Sequence, residues 1–515
     1  MARFDLSQVP HGIHWGSAVA DVIITAHPDA LEYTCAAGIS PSGVVHFGNF
    51  RDISTSYEVY RALTEKGKKA RLLFSWDNFD RLRKVPAGVP ESFAEHIGKP
   101  LSKIPDPFGC HASYAQHFEA PFEEAMRQLS MPIEYRNQTE AYESGAYDAA
   151  ITHALQNREV IADILLSFMT EKGKSEKGIE PSEFRATYYP IALYSRFTGK
   201  DTTKIQSYDG ASTVTYYCID TGKTDTVDLS KERIAKLAWK VDWPMRWKHE
   251  SVVFEPGGHD HASPGGSYDV ASTIAPRIFK YPAPTFVEYK FVGLQGLGAK
   301  MSGSKGNAVS PLELLEIYEP ELLTWLYLRR SPDHAFQLAF DTEIYRQYDE
   351  YDALHTGNPI PFRQAVGFGQ IVQWQPTKLA DLLAGMDLNY DVLSVSRRLS
   401  LARNWLTKYN PDERVELCAS VQSAYATTLS EEQKARILKL RESLRDAGSE
   451  SIRDLEVLVY DIPKRSGIDE AILKKEQRAF FKDVYRLLIG QDTGPRLGTF
   501  LWAVDRQRVK ELLNI

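Results

Sequence analysis

The stretch Gly38-Ile-Ser-Pro-Ser-Gly-Val-Val-His-Phe-Gly-Asn49 reads as the end of a strand, a turn and the start of a helix. Ahead of it, Tyr33-Thr-Cys-Ala-Ala37 is a short apolar run of strand character. Behind it, Ile53, Tyr57, Tyr60 and Leu63 recur at helical spacing as far as Gly67, and Ala70-Arg-Leu-Leu-Phe-Ser-Trp76 is a second apolar strand. Together these make one βαβ unit. In such a unit a ligand sits outside the carboxyl ends of the strands, where the backbone N–H groups and positive dipole end of the helix favour a phosphate. Gly43 and Gly48 let backbone and ligand approach closely, and His46 supplies a donor for developing negative charge. The pattern suits a nucleoside triphosphate held for attack at phosphorus; a Gly/Pro/Ser turn with a surface histidine is the plainer alternative.

About 250 residues further on, Gly298-Ala-Lys-Met-Ser-Gly-Ser-Lys-Gly-Asn307 is a Gly/Ser-rich loop carrying two lysines. The two stretches resemble the paired signatures of class I aminoacyl-tRNA synthetases, P-x-G-x-x-H-x-G-H after the first strand and K-M-S-K-S after the last. Pro41, Gly43, His46 and Gly48 match the first; Lys300, Met301, Ser302 and Ser304 match the second.

Length and composition set bounds on this reading. A chain of 515 residues, 43% hydrophobic, accommodates three or four packed units of ordinary composition. No N-terminal apolar stretch resembles a signal peptide, and charges interrupt every apolar run before it reaches spanning length, so a cytoplasmic enzyme without membrane contact is expected. Cys35, Cys110, Cys218 and Cys418 lie far apart with no C-x-x-C pair, which indicates buried free thiols and neither a disulfide framework nor a zinc site. A net charge of −7 argues against a protein that coats nucleic acid non-specifically, but leaves room for a local basic face.

In chain order, His14 and Trp15 open a helix leading into the first strand, where they anchor that helix or touch a substrate. The second strand delivers Asp77 and Asp80 to the edge where a small substrate would lie. Buried carboxylates need partners, and an amino-acid ammonium group or the neighbouring Arg81, Arg83 and Lys84 could serve. Helices are expected over 114–129, 147–156 and 159–170, a flexible link over 172–178, and β character with turns at Asp209-Gly210 and Thr221-Gly222. Ser251-Val-Val-Phe254 is a strand running into Gly257-Gly-His-Asp-His261, a ligand-facing loop. Consecutive His and Asp residues seldom point at one ion, so Gly258, Asp260 and His261 are better read as contacts to ribose, adenine or amino acid. Pro284 to Val292 forms the last strand. Ser310-Pro-Leu-Glu313 is a clean helix start, and the chain beyond it is almost wholly helical.

Five stretches carry a closer resemblance: Gly38 to Arg51, Trp76 to Pro86, Phe254 to His261, Lys300 to Asn307 and Gly494 to Gly498 are similar to the class I type of lysyl-tRNA synthetase. This resemblance implies an α/β fold: a Rossmann-type parallel-sheet catalytic domain with a connective insertion, then an all-α C-terminal anticodon-binding domain. The implied divisions are 1–100 and 241–310 for the catalytic halves, 101–240 for the insertion with its β module, 311–375 for a stem-contact region and 376–515 for the helical domain. The activity implied is ATP-dependent activation of L-lysine to lysyl-adenylate and transfer to tRNA(Lys), by a monomer using Mg²⁺ with ATP. His46 and Asn49 would then hold the ATP phosphates, and Lys300 and Lys305 would stabilise the transferring phosphorus and departing diphosphate. Gly38, Ser40, His261 and Tyr289 would line the lysine pocket, with Asp77 and Asp80 as nominees for its ammonium groups. Gly303 stands where the signature has lysine, so Lys305 supplies the second charge. Cys218 stands alone where many archaeal relatives carry zinc-binding cysteine pairs, so no structural zinc is expected. A glutamate-type synthetase, a non-catalytic tRNA-binding paralogue and a small-molecule nucleotidylyltransferase are the competing readings.

Overall fold

The computed structural model describes residues 3–176, 178–296, 309–354, 356–445 and 450–515. Two compact units divide the chain: residues 1–315 with 320–338, and residues 316–319 with 339–515.

The first unit is built on β1 (Tyr33–Ile39), β2 (Ala70–Trp76) and β3 (Ile133–Asn137), all parallel, with Val252–Phe254 on the far side of β1. β1 is central, and its small residues Cys35, Ala36 and Ala37 are buried, as the continuous apolar run requires of a strand covered on both faces. A side chain at Gly38 would come within 2.9 Å of the Ser75 carbonyl, so the glycine allows β1 and β2 to close up at the ligand end. Beyond Val252–Phe254 a fifth parallel line follows through the bridge Phe254 to Thr285 and the pairs Gly257 to Glu288 and Gly258 to Tyr289. The expected strand over 284–292 is therefore broken up. Pro256 has no N–H to give the ladder, and Val292–Gln295 pairs elsewhere, with Phe336–Ala339. The order is that of a doubly wound sheet, with its switch point between β1 and Val252–Phe254.

α1 (Trp15–Ala26) is the expected leading helix. The His14 ring caps it, and Trp15 Nε1 donates to the Leu328 carbonyl at 3.3 Å, so this pair anchors the helix. α2 (Phe47–Glu65) follows β1 and buries Phe50, Ile53, Val59 and Leu63 against the sheet before it stops at Gly67, whose φ is +74°. Buried Arg51 donates to the Tyr327 carbonyl at 2.5 Å and fastens α2 to helix Pro320–Leu328.

Between the sheet halves, helices Asp148–Gln156 and Arg158–Ser167 pack with an antiparallel sheet of Thr203–Tyr208, Thr213–Cys218 and Lys223–Asp228. The turns lie at Gly210 and Gly222, as their sequence requires, with φ of +85° and +69°. The expected link over 172–178 instead contains helix Glu171–Glu176, started by the Thr170 hydroxyl accepting from Gly173 N and held by a Lys174 to Glu171 pair. Ser310 caps Pro311–Leu314 with the expected capping box.

The second unit is helical, from Glu343–Asp352 to Arg506–Leu512. Its core carries the buried Arg398, which bonds both Glu319, at 2.9 Å, and Asp352, at 2.6 Å.

Candidate active site

At the carboxyl end of β1 the chain turns through Ser40 to Val45 and enters α2 at His46. The His46 Nδ1 accepts from Gly48 N at 3.0 Å, and the Asn49 Oδ1 accepts from His46 N at 3.0 Å, a reciprocal cap at the helix start. Because Nδ1 accepts, the neutral ring carries its proton on Nε2. Burial lowers the His46 pKa, so the ring is neutral at physiological pH and presents an N–H donor. A Cβ at Gly48 would fall 2.8 Å from the imidazole, so glycine at this position is what lets the ring fold back over the helix end. These groups form one wall of a cleft of about 720 Å³, with Gly43, Arg83 and Lys84 also lining it.

A second cleft of about 640 Å³ shares the Ile39–Ser40 and Asp80–Arg83 walls and runs towards Gly38, Trp239 and His261. The buried Trp239 Nε1 and His261 Nδ1 have no hydrogen-bond partner among the described residues, an arrangement costly unless a ligand supplies one. Trp239 belongs to helix Trp239–His249 and is held by Arg246, whose guanidinium lies 5.1 Å from its ring centroid.

The carboxylates nominated for ammonium binding are paired within the protein. Arg246 donates to Asp77 at 2.6 Å; Lys236 lies 2.9 Å from Asp80 and 3.4 Å from Asp242, and Tyr142 donates to Asp242. Arg81 pairs with Asp201 at 2.6 Å, so the three basic residues of the β2 loop do not neutralise these carboxylates either.

Asp52, one helical turn beyond Asn49 on α2, is a further carboxylate at this end of the sheet. The Gly38 N–H donates to it at 3.2 Å and the Tyr289 hydroxyl bonds it; among the described residues it makes no ion pair. Burial, with the Glu255 carboxylate nearby, lifts the Asp52 carboxyl to about 8. Burial also raises Glu255, which accepts from Trp247 Nε1 at 2.7 Å. Sequence reasoning placed Tyr289 here but missed Asp52 and Glu255. Gly258 lies against the Tyr289 ring across the parallel pair, whereas Asp260 is exposed on the short helix His259–Ala262. Lys300, Met301, Ser302, Ser304 and Lys305 lie outside the described residues.

A third feature joins the loop before α3 (Tyr114–Gln128) to the first turn of that helix. Asp106, Cys110, His111 and His117 bring four ligand atoms within 4.8 Å of one another, with Cys110 Sγ 3.1 Å from His111 Nδ1 and 3.3 Å from His117 Nδ1. The Asp106 carboxylate is oriented by the N–H groups of Phe108, Cys110 and His111. A carboxylate, a thiolate and two imidazoles suit a tetrahedral ion of zinc type. The expectation of no structural zinc did not foresee this candidate cluster, and Cys110 is exposed where a buried thiol was expected. Cysteine spacing could not signal a site that uses one cysteine.

A doubly wound sheet with a capped histidine at its first crossover and polar clefts at the carboxyl ends of its strands is the arrangement of a nucleotide-binding α/β domain. Residues 13–362 match the family of class I tRNA synthetases (K), and the chain belongs to that family. It is 36% identical to a lysine–tRNA ligase of Streptomyces coelicolor, over 97% of this chain and 98% of that one. It is 33% identical to a lysine–tRNA ligase of Thermococcus kodakarensis over 98% and 99%, and 32% identical to that of Treponema pallidum over 98% of each.

Proposed function

We propose that the protein is a lysine–tRNA ligase, which activates L-lysine with ATP to lysyl-adenylate and diphosphate and passes the lysyl group to tRNA(Lys). The observation that carries this is the similarity, spanning nearly the whole chain, to ligases of that specificity. Asp52, which makes no ion pair among the described residues, supports the substrate's sign: a basic side chain suits it and an acidic one does not.

In this reading the lysine carboxylate attacks the α-phosphorus of ATP, which enters with Mg²⁺, and the protein supplies position and charge instead of a covalent nucleophile. His46 Nε2–H and the Asn49 amide hold the phosphates at the α2 terminus. Gly38, Ser40, Trp239 and His261 line the amino-acid end, and Asp52 with Tyr289 takes an ammonium group. Asp77 and Asp80, neutralised by Arg246 and Lys236, shape the wall. Lys300 and Lys305 add charge at the transferring phosphorus. We assign 1–100 and 241–310 to the catalytic halves, 101–240 to the connective insertion, 311–375 to stem contact and 376–515 to anticodon binding, in a cytoplasmic monomer. No described helix is long and apolar enough to cross a membrane.

Asp106, Cys110, His111 and His117 hold a zinc ion in this proposal, which ties the loop before α3 to that helix and takes no part in the chemistry. Elemental analysis of the purified protein is expected to give about one zinc per chain, and Cys110→Ser or His117→Ala to release it. Full zinc content in both variants would place the ion elsewhere.

Charging of total tRNA with each labelled amino acid tests the specificity. Lysine is expected to be accepted and glutamate and arginine refused; charging with glutamate alone would establish the glutamate reading.

A further inference from the structure

We propose that Arg83 and Lys84 form a cationic clamp for the ATP triphosphate, on the wall of the cleft that His46 also lines, and stabilise diphosphate as it departs. The inference rests on the ligase reading above and adds residues to its chemistry.

The segment after β2 is fastened on both sides of this pair. Leu82 is fully buried; its N–H donates to the Lys99 carbonyl at 2.9 Å and its carbonyl accepts from Gly98 N at 2.9 Å, beside a bridge from Arg81 to Pro100. Val85 packs on the same apolar cluster as Leu82, and Pro86 lies against the phosphate turn, 3.5 Å from where a Gly43 side chain would begin. Leu82 turns inward, and Arg81, Arg83 and Lys84 line the cleft with His46.

Charge identifies the ligand. Arg81 is occupied by Asp201. Arg83 and Lys84 are exposed and make no hydrogen bond or ion pair among the described residues. The carboxylate lining this cleft, Asp80, is held by Lys236. Exposed positive charge carried on an anchored backbone suits a polyanion. In the step served, a lysine carboxylate oxygen bonds to the α-phosphorus, the bond from that phosphorus to the α,β-bridging oxygen breaks, and its electron pair leaves on diphosphate. Cations on the wall of the cleft favour that charge as it grows.

The test compares wild type with Arg83→Ala, Lys84→Ala and Arg83→Lys in ATP–diphosphate exchange, with lysine and total tRNA present throughout. Each alanine variant is expected to lower exchange kcat about thirtyfold and raise the KM for diphosphate about tenfold, with the lysine KM within about twofold. Arg83→Lys should recover part of the loss. Single-turnover transfer from supplied lysyl-adenylate to tRNA should be unchanged. Circular dichroism checks the fold, and calorimetric titration with a non-hydrolysable ATP analogue gives an independent readout, expected to weaken about tenfold. Unchanged exchange and unchanged analogue binding would overturn the proposal. So would normal exchange with slowed transfer, which would assign the pair to tRNA phosphates. Failure of the wild type to exchange with any amino acid would fall on the ligase reading instead.

Discussion

Replacing His46 by alanine is expected to slow lysyl-adenylate formation by about 10²- to 10³-fold while the lysine KM moves by less than about threefold. The His46 Nδ1 is committed to Gly48 N, so Nε2–H is the donor, and burial keeps the ring neutral. A preorganised donor of this kind is worth about 3–4 kcal/mol where charge develops. The same substitution removes a helix cap, which costs about 1 kcal/mol of stability. His46→Asn separates the two effects, because asparagine caps well but cannot reach where the imidazole Nε2 does. Rapid-quench measurement of adenylate formation should find His46→Asn as slow as His46→Ala yet thermally as stable as wild type. A near-normal rate in both would remove His46 from the chemistry.

The second large effect belongs to Asp52. Asp52→Asn is expected to raise the lysine KM about 100-fold or more, since it leaves a substrate ammonium without its charge partner. Tyr289→Phe, which removes one hydrogen bond, should cost roughly tenfold. The pH dependence gives a sharper signature. In the free protein the Asp52 carboxyl is lifted to about 8 by burial and by Glu255. A bound ammonium favours the ionised form, so the complex holds fewer protons than the free protein, and lysine binding strengthens as pH rises towards that value. Below it, affinity should fall by up to about tenfold per pH unit, and the Asn variant should be flat over the same range. Calorimetric titration of lysine at pH 6.5 and 8 reads this directly; a wild-type affinity that does not rise with pH would remove Asp52 from the ammonium site.

Legibility in the sequence followed burial. β1 and β2 are buried on both faces, and their apolar runs mark them almost to the residue. The α2 start was readable because glycine, histidine and asparagine occupy positions where a helix end needs them. Strand Lys223–Asp228 escaped because it is an edge strand that buries only Val227, leaving no alternation to detect. Asp52 escaped for a different reason. It looks like one more charge on a helix, and its partner Tyr289 and neighbour Glu255 come from the other half of the sheet. A local signal existed: His46, Asn49 and Asp52 stand at intervals of three, a polar stripe on the helix that carries the phosphate turn. Asp77 and Asp80 were correctly placed at the strand end, but their partners Arg246 and Lys236 lie beyond the insertion, where spacing cannot announce a pair.

The measurement that bears most directly on the central claim is ATP–diphosphate exchange with each of the twenty amino acids, run with and without total tRNA. Exchange with lysine and no other amino acid is the predicted result, and its dependence on tRNA would give the order of binding. Exchange driven by glutamate, or none with any amino acid even when tRNA is present, would contradict it.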